Sequence, residues 1–468
     1  MKRKIIYILS IALLFSSCSS WIDSSINNDP NKTTDVAMAQ LIAPIEANLA
    51  YITGGELARF TSAWMQQVAG IQGQSADYDI YNMSEADTEN AWSWNLYQPG
   101  MMNTKILMEK AVSLKSPYYG GIAKILMAYH LGITTDLFGD IPYSDAFKGA
   151  IGQTKSKYDT QEAVYTTIFT LLSEGITDLS ATSSSFKPGS EDLIYGGDKA
   201  SWIKTAYALT ARYKLHLVKQ KGVSAYNDAL TALAKAYTGN ADDCKLVFGS
   251  AYNNSNPISQ FEKERAKYMG ANTTYLNMLK ATNDPRISVY FAKSDTSTVS
   301  GVVKLAYVGS AAGQKNSLAS SMGVNYASST SPVYLISYAE IKFIEAEASF
   351  QTNDIPRAVS AYNAGLKASL DREGVYDATW FAANSITAGA ITLEKIMTQK
   401  YISSFLQVEV FNDWRRTGFP TLALASGAIT TEIPRRLPYA QDERLYNYEN
   451  YKQYEKLTIT SRVWWDKQ

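Results

Sequence analysis

The sequence predicts a mostly α-helical domain that combines tetratricopeptide-like helix pairs with long irregular loops. Three observations point there. Apolar residues recur at three- and four-residue spacing through most of the chain, one stretch reads as a helical hairpin, and that periodicity fails over about residues 240–331. The hairpin is Tyr334 to Leu370. Leu335, Tyr338, Ile341 and Ile344 form one stripe, Asn353-Asp354 interrupts, and Ala358, Tyr362, Leu366 and Leu370 form the next. Asp354 is placed to cap the second helix, and Pro356 stands in its first turn, where a missing N–H is harmless. Ala346, Ala358, Tyr362 and Gly365 match the small-residue spacing of a tetratricopeptide repeat, whereas Lys342, Glu345 and Leu370 depart from it.

In chain order, MKRK and the apolar run Ile5 to Phe15 lead to Ser16-Ser17-Cys18, a secretory signal ending in a lipobox-like cysteine. Residues 1–17 are expected to be removed, Cys18 to be acylated, and residues 18–34 to serve as a polar tether. An ordinary signal peptide with an incidental cysteine is the plainer alternative. An acylated anchor attaches a protein to a membrane without spanning it. Residues 35–468 then form a single domain. Val36, Leu41, Ile45 and Leu49 predict one helix, Leu57, Phe60, Trp64 and Val68 a second, with Gly54-Gly55 between. Ile71 to Asn90 reads as a surface loop. Helices follow over Trp92–Leu114, Ile122–Leu137, Val164–Leu179, Trp202–Leu217 and Tyr226–Tyr237. Beyond the hairpin, Leu393, Ile396, Lys400, Ile402 and Phe405 predict a helix continuing into NDWRRTGFP, and a loop-like tail closes the chain. Trp414, Arg415 and Arg416 read as pinning the end of that helix rather than as a cationic patch, because cations are favoured at helix C-termini.

Composition excludes several functions. Lys plus Arg number 44 against 44 Asp plus Glu, which leaves no electrostatic footprint for nucleic acid. With Cys18 acylated, Cys244 has no disulfide partner. His130 and His216 lie in helical patterns with no third histidine, so structural roles are expected and no metal site. Ser201-x-x-Lys204 and Ser184-x-x-Lys187 match the S-x-x-K of penicillin-recognising enzymes, but SDN and KTG elements are missing and Ser201 suits a helix start near Asp198. Asp77-x-Asp79 opens like a calcium loop, yet Tyr81 stands at the third ligand position and Asn82 replaces the glycine. No cofactor is therefore expected, and a structural calcium ion has no motif behind it.

The aromatic inventory is the positive signal, with 32 Tyr and 9 Trp. A sugar ring has apolar faces and a hydroxyl rim, so its binder combines flat aromatic platforms with amide, carboxylate or guanidinium side chains. Gln72, Gln74, Asp77, Tyr78, Tyr81, Asn82, Trp92 and Trp94 have that composition. Core packing is the alternative role for Trp92 and Trp94. A second candidate set comes from the irregular insertion: Tyr252, Asn253, Arg265, Tyr268, Met269 and Tyr326.

Several stretches together carry a family resemblance. They are Asp29-Pro30-Asn31, YYGGIAKILMAYHLGITTDLFGDIPYSDAF at Tyr118–Phe147, EDLIYGGD at Glu191–Asp198, YAEIKFIEAEA at Tyr338–Ala348, QKYISSFLQVEVFNDWRRTGFP at Gln399–Pro420, and the IPRRLPYAQDE that follows. In this order they resemble the SusD/RagB family of Bacteroidetes surface lipoproteins. The resemblance implies a SusD-like α-superhelix, attachment to the outer membrane facing the exterior, and partnership with a SusC-like TonB-dependent transporter. It also implies binding of an oligosaccharide or other oligomeric nutrient without catalysis, with an aromatic loop before the third helix contributing to ligand binding. A peptide-binding member of the fold and a surface glycosidase are the rival readings. The segment after Cys18, SSWIDSS, carries a single acidic residue, fewer than surface lipoproteins of this group often show.

Overall fold

The computed structural model describes residues 36–297 and 304–467. The signal, Cys18, the tether and the Asp29-Pro30-Asn31 motif lie outside the described residues. Helices dominate: α1 (Met38–Gly54), α2 (Glu56–Trp64), α3 (Gly73–Asp79), a π-helical stretch Trp92–Met102, α4 (Asn103–Ser113), α5 (Pro117–Phe138), α6 (Gln161–Leu179), α7 (Lys199–His216) and α8 (Val223–Leu233). After the insertion, which carries α9 (Pro257–Glu264) and α10 (Thr273–Ala281), come α11 (Tyr338–Gln351), α12 (Ile355–Glu373), α13 (Leu393–Ser403), α14 (Glu409–Thr417) and α15 (Gln441–Tyr446).

Each scaffold helix packs on the next, α4 on α5, α5 on α6, α6 on α7 and α7 on α8. The insertion leaves after α8 and returns before α11, yet α8 and α11 are neighbours, and α11 carries α12 and α13. A superhelical stack therefore runs through the excursion unbroken. The sequence explains the individual helices. Thr160 caps α6, Asp198 caps α7, Ser337 caps α11 and Asp354 caps α12, each side chain accepting backbone N–H groups left without a helical partner. Asp198 accepts from Ala200 and Ser201, so Ser201 belongs to a helix start. In the hairpin, a Cβ on Gly365 would lie 3.1 Å from the Phe343 ring, which is how α12 approaches α11 so closely. Phe343 meets Tyr362 edge-on at 5.9 Å.

The insertion is less irregular than its composition suggests. It contains α9, α10 and two further short helices. Strand β2 (Cys244–Val247) pairs antiparallel with β6 (Pro332–Ile336), Leu246 opposite Val333, and closes its neck. Strand β1 (Val68–Gly70) pairs antiparallel with β3 (Met269–Ala271), Val68 opposite Ala271, and ties it to the turn after α2. Two-residue strands Ser294–Asp295 and Leu305–Ala306 also pair. The helix expected to run from Leu393 through NDWRRTGFP is broken instead, with Leu406 at φ +55°. Gln67 explains the break. Its amide donates to the carbonyls of Tyr401 and Ser404 and accepts the Leu406 N–H, replacing the lost helical partners.

Ion pairs and charged hydrogen bonds run through the core. Arg212 grips Glu340 through Nε at 2.7 Å and Nη2 at 2.6 Å. His216 stands between Asp136 at 3.2 Å and Glu409 at 2.7 Å. Burial opposes its charging, but the two carboxylates outweigh that and push its pKa up to about 9. Lys400 pairs with Asp413, and Arg416 with Asp413 and Glu347. Arg415 lies over Phe411 at 4.1 Å and Trp465 at 4.5 Å. These contacts give Arg415 and Arg416, in the last turn of α14, the pinning role expected of them. His130 is also internal: its Nδ1 hydrogen-bonds the Leu126 carbonyl, and burial lowers its pKa to about 4.

Candidate functional site

Two clefts border the π-helical stretch. Helical winding of this kind is rare and frequently marks functional positions. Here it includes Pro99, which has no N–H to give, and the Asn95 side chain reaches back to the Asn90 carbonyl at 2.7 Å. By order along the helix, Trp94 falls between Ser93, which lines one cleft, and Asn95, which lines the other.

The cleft beside Asn95 has a volume of about 120 Å³ and lies between the α1–α2 turn and α9. The turn is tight because a Cβ on Gly55 would lie 2.5 Å from the Tyr51 carbonyl oxygen and 2.9 Å from Pro257. Tyr51 donates to Gln260 Oε1 at 3.2 Å, and Asn48 donates to Asn95 at 3.0 Å. The Arg59 guanidinium sits over the Phe261 ring, 4.0 Å from its centre, and Arg265 approaches the same ring at 5.5 Å. Arg265 pairs with Glu264 at 2.8 Å, and Tyr252 donates to the same carboxylate.

Two polar atoms of this cleft are left over. Arg59 Nη1 and Glu56 Oε1 are buried from solvent and make no hydrogen bond. Burial pushes the Glu56 pKa up to about 7 against the pull of Arg59, and burial lowers that of Arg59 despite Glu56. A buried donor and acceptor without partners are costly. Tyr51, in the lining, is 41% exposed, and Trp94, next to Asn95 in sequence, is 61% exposed.

The structure redistributes the residues chosen from sequence. Ile71–Asn90 is not a surface loop: it contains α3 and a 3-10 helix at Glu85–Thr88, and several of its side chains enter the core. Tyr78 is buried edge-on against Phe60 at 4.8 Å, its hydroxyl on Asp87 at 3.1 Å. Tyr81 is buried, and its oxygen accepts the Ala425 N–H at 3.2 Å. Tyr326 is buried with its hydroxyl on Glu373 at 2.7 Å. None of these three rings offers a free face, because each is enclosed by packing that the polar neighbours in sequence do not reveal. Trp92 is also buried, donating to Glu443 at 3.2 Å, although its edge reaches the second cleft.

Gln74, Asp77 and Asn82 do not line either cleft. Asp79 turns inward and accepts the Gly313 N–H at 2.5 Å. Gln72 and Tyr268 approach the first cleft indirectly: Gln72 donates to the Ala266 carbonyl at 3.1 Å, and Tyr268 packs edge-on against Phe261 at 6.2 Å. Of the second sequence-chosen set, Arg265 lines the cleft. Sequence reasoning missed Tyr51, Glu56, Arg59, Gln260 and Phe261. The Gly54-Gly55 pair was the available signal, since such a pair between two amphipathic helices marks a close approach by another segment. No group of three or more His, Cys, Asp or Glu side chains placed to hold a metal ion occurs among the described residues. No helix among them is long and apolar enough to cross a membrane.

A helical-repeat scaffold thus carries a helix-lined cleft with Tyr51 and Phe261 in its wall. A family model described as "Starch-binding associating with outer membrane" matches residues 30–440, and the chain belongs to this SusD-like family. No curated protein sequence matches it. Among solved structures it is similar to a chitin-binding SusD homologue from Flavobacterium johnsoniae, with 26% identity, a TM-score of 0.77, and coverage of 92% of this chain and 99% of that one. A SusD homologue from Bacteroides ovatus shows 25% identity, a TM-score of 0.76 and the same coverage. A SusD/RagB family protein from Bacteroides thetaiotaomicron, at 23% identity, TM-score 0.76 and coverage of 92% and 99%, shares the fold.

Proposed function

We propose that this chain is a lipid-anchored, exterior-facing protein of the outer membrane that captures an oligosaccharide and delivers it to a SusC-like TonB-dependent transporter. One observation carries the reading: a chain matched over residues 30–440 by a starch-binding family model presents a cleft lined by Tyr51, Arg59, Asn95 and Gln260, and Trp94, next to Asn95 in sequence, is exposed. A sugar hydroxyl both donates and accepts, so it can meet the polar side chains of Asn95 and Gln260 in the lining while a ring face stacks on Tyr51 or Trp94. The chitin-binding relative makes oligomers of N-acetylglucosamine the first sugars to try. Binding is reversible and no covalent step is involved. Acylation at Cys18 would keep the cleft within a tether's length of the membrane.

Isothermal titration of the mature chain with chito-, malto- and xylo-oligosaccharides tests this. At least one series is expected to bind, and Trp94→Ala is expected to weaken it tenfold or more, about 1.4 kcal/mol. Binding that is untouched by Trp94→Ala would remove the site assignment. Silence across all sugars with binding to a peptide panel would remove the glycan reading, and release of shorter products would replace capture with hydrolysis.

A further inference from the structure

The second cleft along the π-helical stretch is the larger, about 300 Å³, at the lower end of ordinary ligand pockets. Its walls come from three parts of the chain: the π-helix, the segment from Pro142 to Ser156, and α15 with Asn447. Three of its lining rings form a fan. Trp92 and Tyr97 have centroids 4.9 Å apart at 43°, and Tyr97 and Phe147 6.1 Å apart at 34°. Phe147 holds φ at +64°, a conformation that bulky residues rarely adopt. Its ring is kept in the fan by Tyr97 on one side and Tyr143 at 6.3 Å on another.

The polar side of the cleft is preorganised and only partly used. Glu443 accepts from Trp92 Nε1 at 3.2 Å, Tyr158 at 2.7 Å and Asn447 Nδ2 at 2.8 Å, so its carboxylate fixes the walls relative to one another. Asn447 also donates to the Ser156 carbonyl at 2.9 Å, which joins α15 to the Pro142–Ser156 segment. Three lining side chains remain: those of Gln98, Thr154 and Ser156 hydrogen-bond to no other described residue.

Charge and shape select the ligand class. No lysine or arginine lines the cleft, which disfavours an anion, and its one carboxylate already has three donors, which leaves little for a cation. A purely apolar guest would strip water from the Gln98, Thr154 and Ser156 side chains without replacing it. A neutral ring with one apolar face and a hydroxyl edge satisfies both sides. We propose that the cleft between the π-helix, the Pro142–Ser156 segment and α15 is a second, independent binding site for a neutral sugar of one or two hexose units.

The two clefts report separately through their tryptophans. The full mature chain in detergent is labelled with 5-fluorotryptophan, and the Trp92 and Trp94 fluorine signals are assigned by substitution to Phe. Chitotriose, maltotriose, xylotriose and cellotriose are then titrated in. The expected result is that at least one sugar shifts the Trp92 signal, that Gln98→Ala weakens this response about tenfold, and that Trp94→Ala leaves it intact. Gln98 is exposed and has no partner, so its variant is not expected to disturb folding. Sugars that shift only the Trp94 signal would overturn the second site while sparing the first. A Trp92 response unchanged by Gln98→Ala, or no Trp92 response to any of the four sugars, would also overturn it.

Discussion

Arg212 and Arg59 are both guanidiniums withdrawn from water, and the protein treats them in opposite ways. Arg212 lies in the scaffold with Nε and Nη2 on Glu340 and Nη2 also on the Leu335 carbonyl. Burial works against its charge, but Glu340 and its neighbours outweigh that and hold its pKa well above the ordinary value. Arg59 lies in the cleft between α2 and α9, over the Phe261 ring, with Nη1 unpartnered, and burial lowers its pKa. One charge is held by a carboxylate of the chain, and the other has no hydrogen-bonded carboxylate among the described residues. The Arg212 pair is thus fixed within the stack of helices, whereas Arg59 stands in the wall of a cleft.

The comparison breaks most visibly at the scaffold end. Glu340→Ala leaves Arg212 buried without its carboxylate, and removing one partner of such a pair costs roughly 3–5 kcal/mol. Urea denaturation should show the loss as a lower midpoint, and a change under about 1 kcal/mol would mean that Arg212 relaxes to solvent.

Glu46 supplies the next effect. Burial and the neighbouring Asp192 carboxylate push its pKa up to about 10, from 4.5 in the unfolded chain. Between those values the native state holds a proton that the unfolded state has lost, so stability falls as pH rises, by at most about 1.4 kcal/mol per pH unit. Glu46→Gln mimics the protonated acid. Its Tm relative to the parent should therefore climb from pH 5 to pH 8, and a constant difference would show that Glu46 is ionised in the fold. His216 adds to the same trend: its contribution is complete below pH 6.5 and is lost as pH rises through about 9.

The smallest effect concerns the hairpin. Asp354→Ala removes the cap on the Arg357 N–H, worth about 1 kcal/mol. Thermal unfolding should register it without any change in sugar affinity, because the hairpin lines neither cleft.

The scaffold was legible in the sequence because its information is local. Asp354, Pro356 and the Ala358-Tyr362-Leu366 stripe specify α12 within one segment, and the stripes of α6 and α7 were equally plain. Where long-range partners decide, the reading failed. Tyr78 and Tyr81 sit among polar residues, and their burial is set by Phe60, Asp87 and Ala425. The break after α13 depends on Gln67, more than three hundred positions earlier. The first cleft suffered in the same way. Glu56 and Arg59 fall outside the apolar stripe of α2 and read as solvent-facing, until α9 arrives from some two hundred residues away and covers them. Of the two sequence-chosen tryptophans, Trp94 is exposed and Trp92 is buried.

The most direct test of the account is Arg59→Gln, measured for Tm and for oligosaccharide affinity on the same sample. Affinity is expected to fall tenfold or more, with a stability loss well below the roughly 3–5 kcal/mol of breaking the Arg212–Glu340 pair. A large loss of Tm with affinity retained would contradict it, and would place Arg59 with Arg212 among the charges of the scaffold.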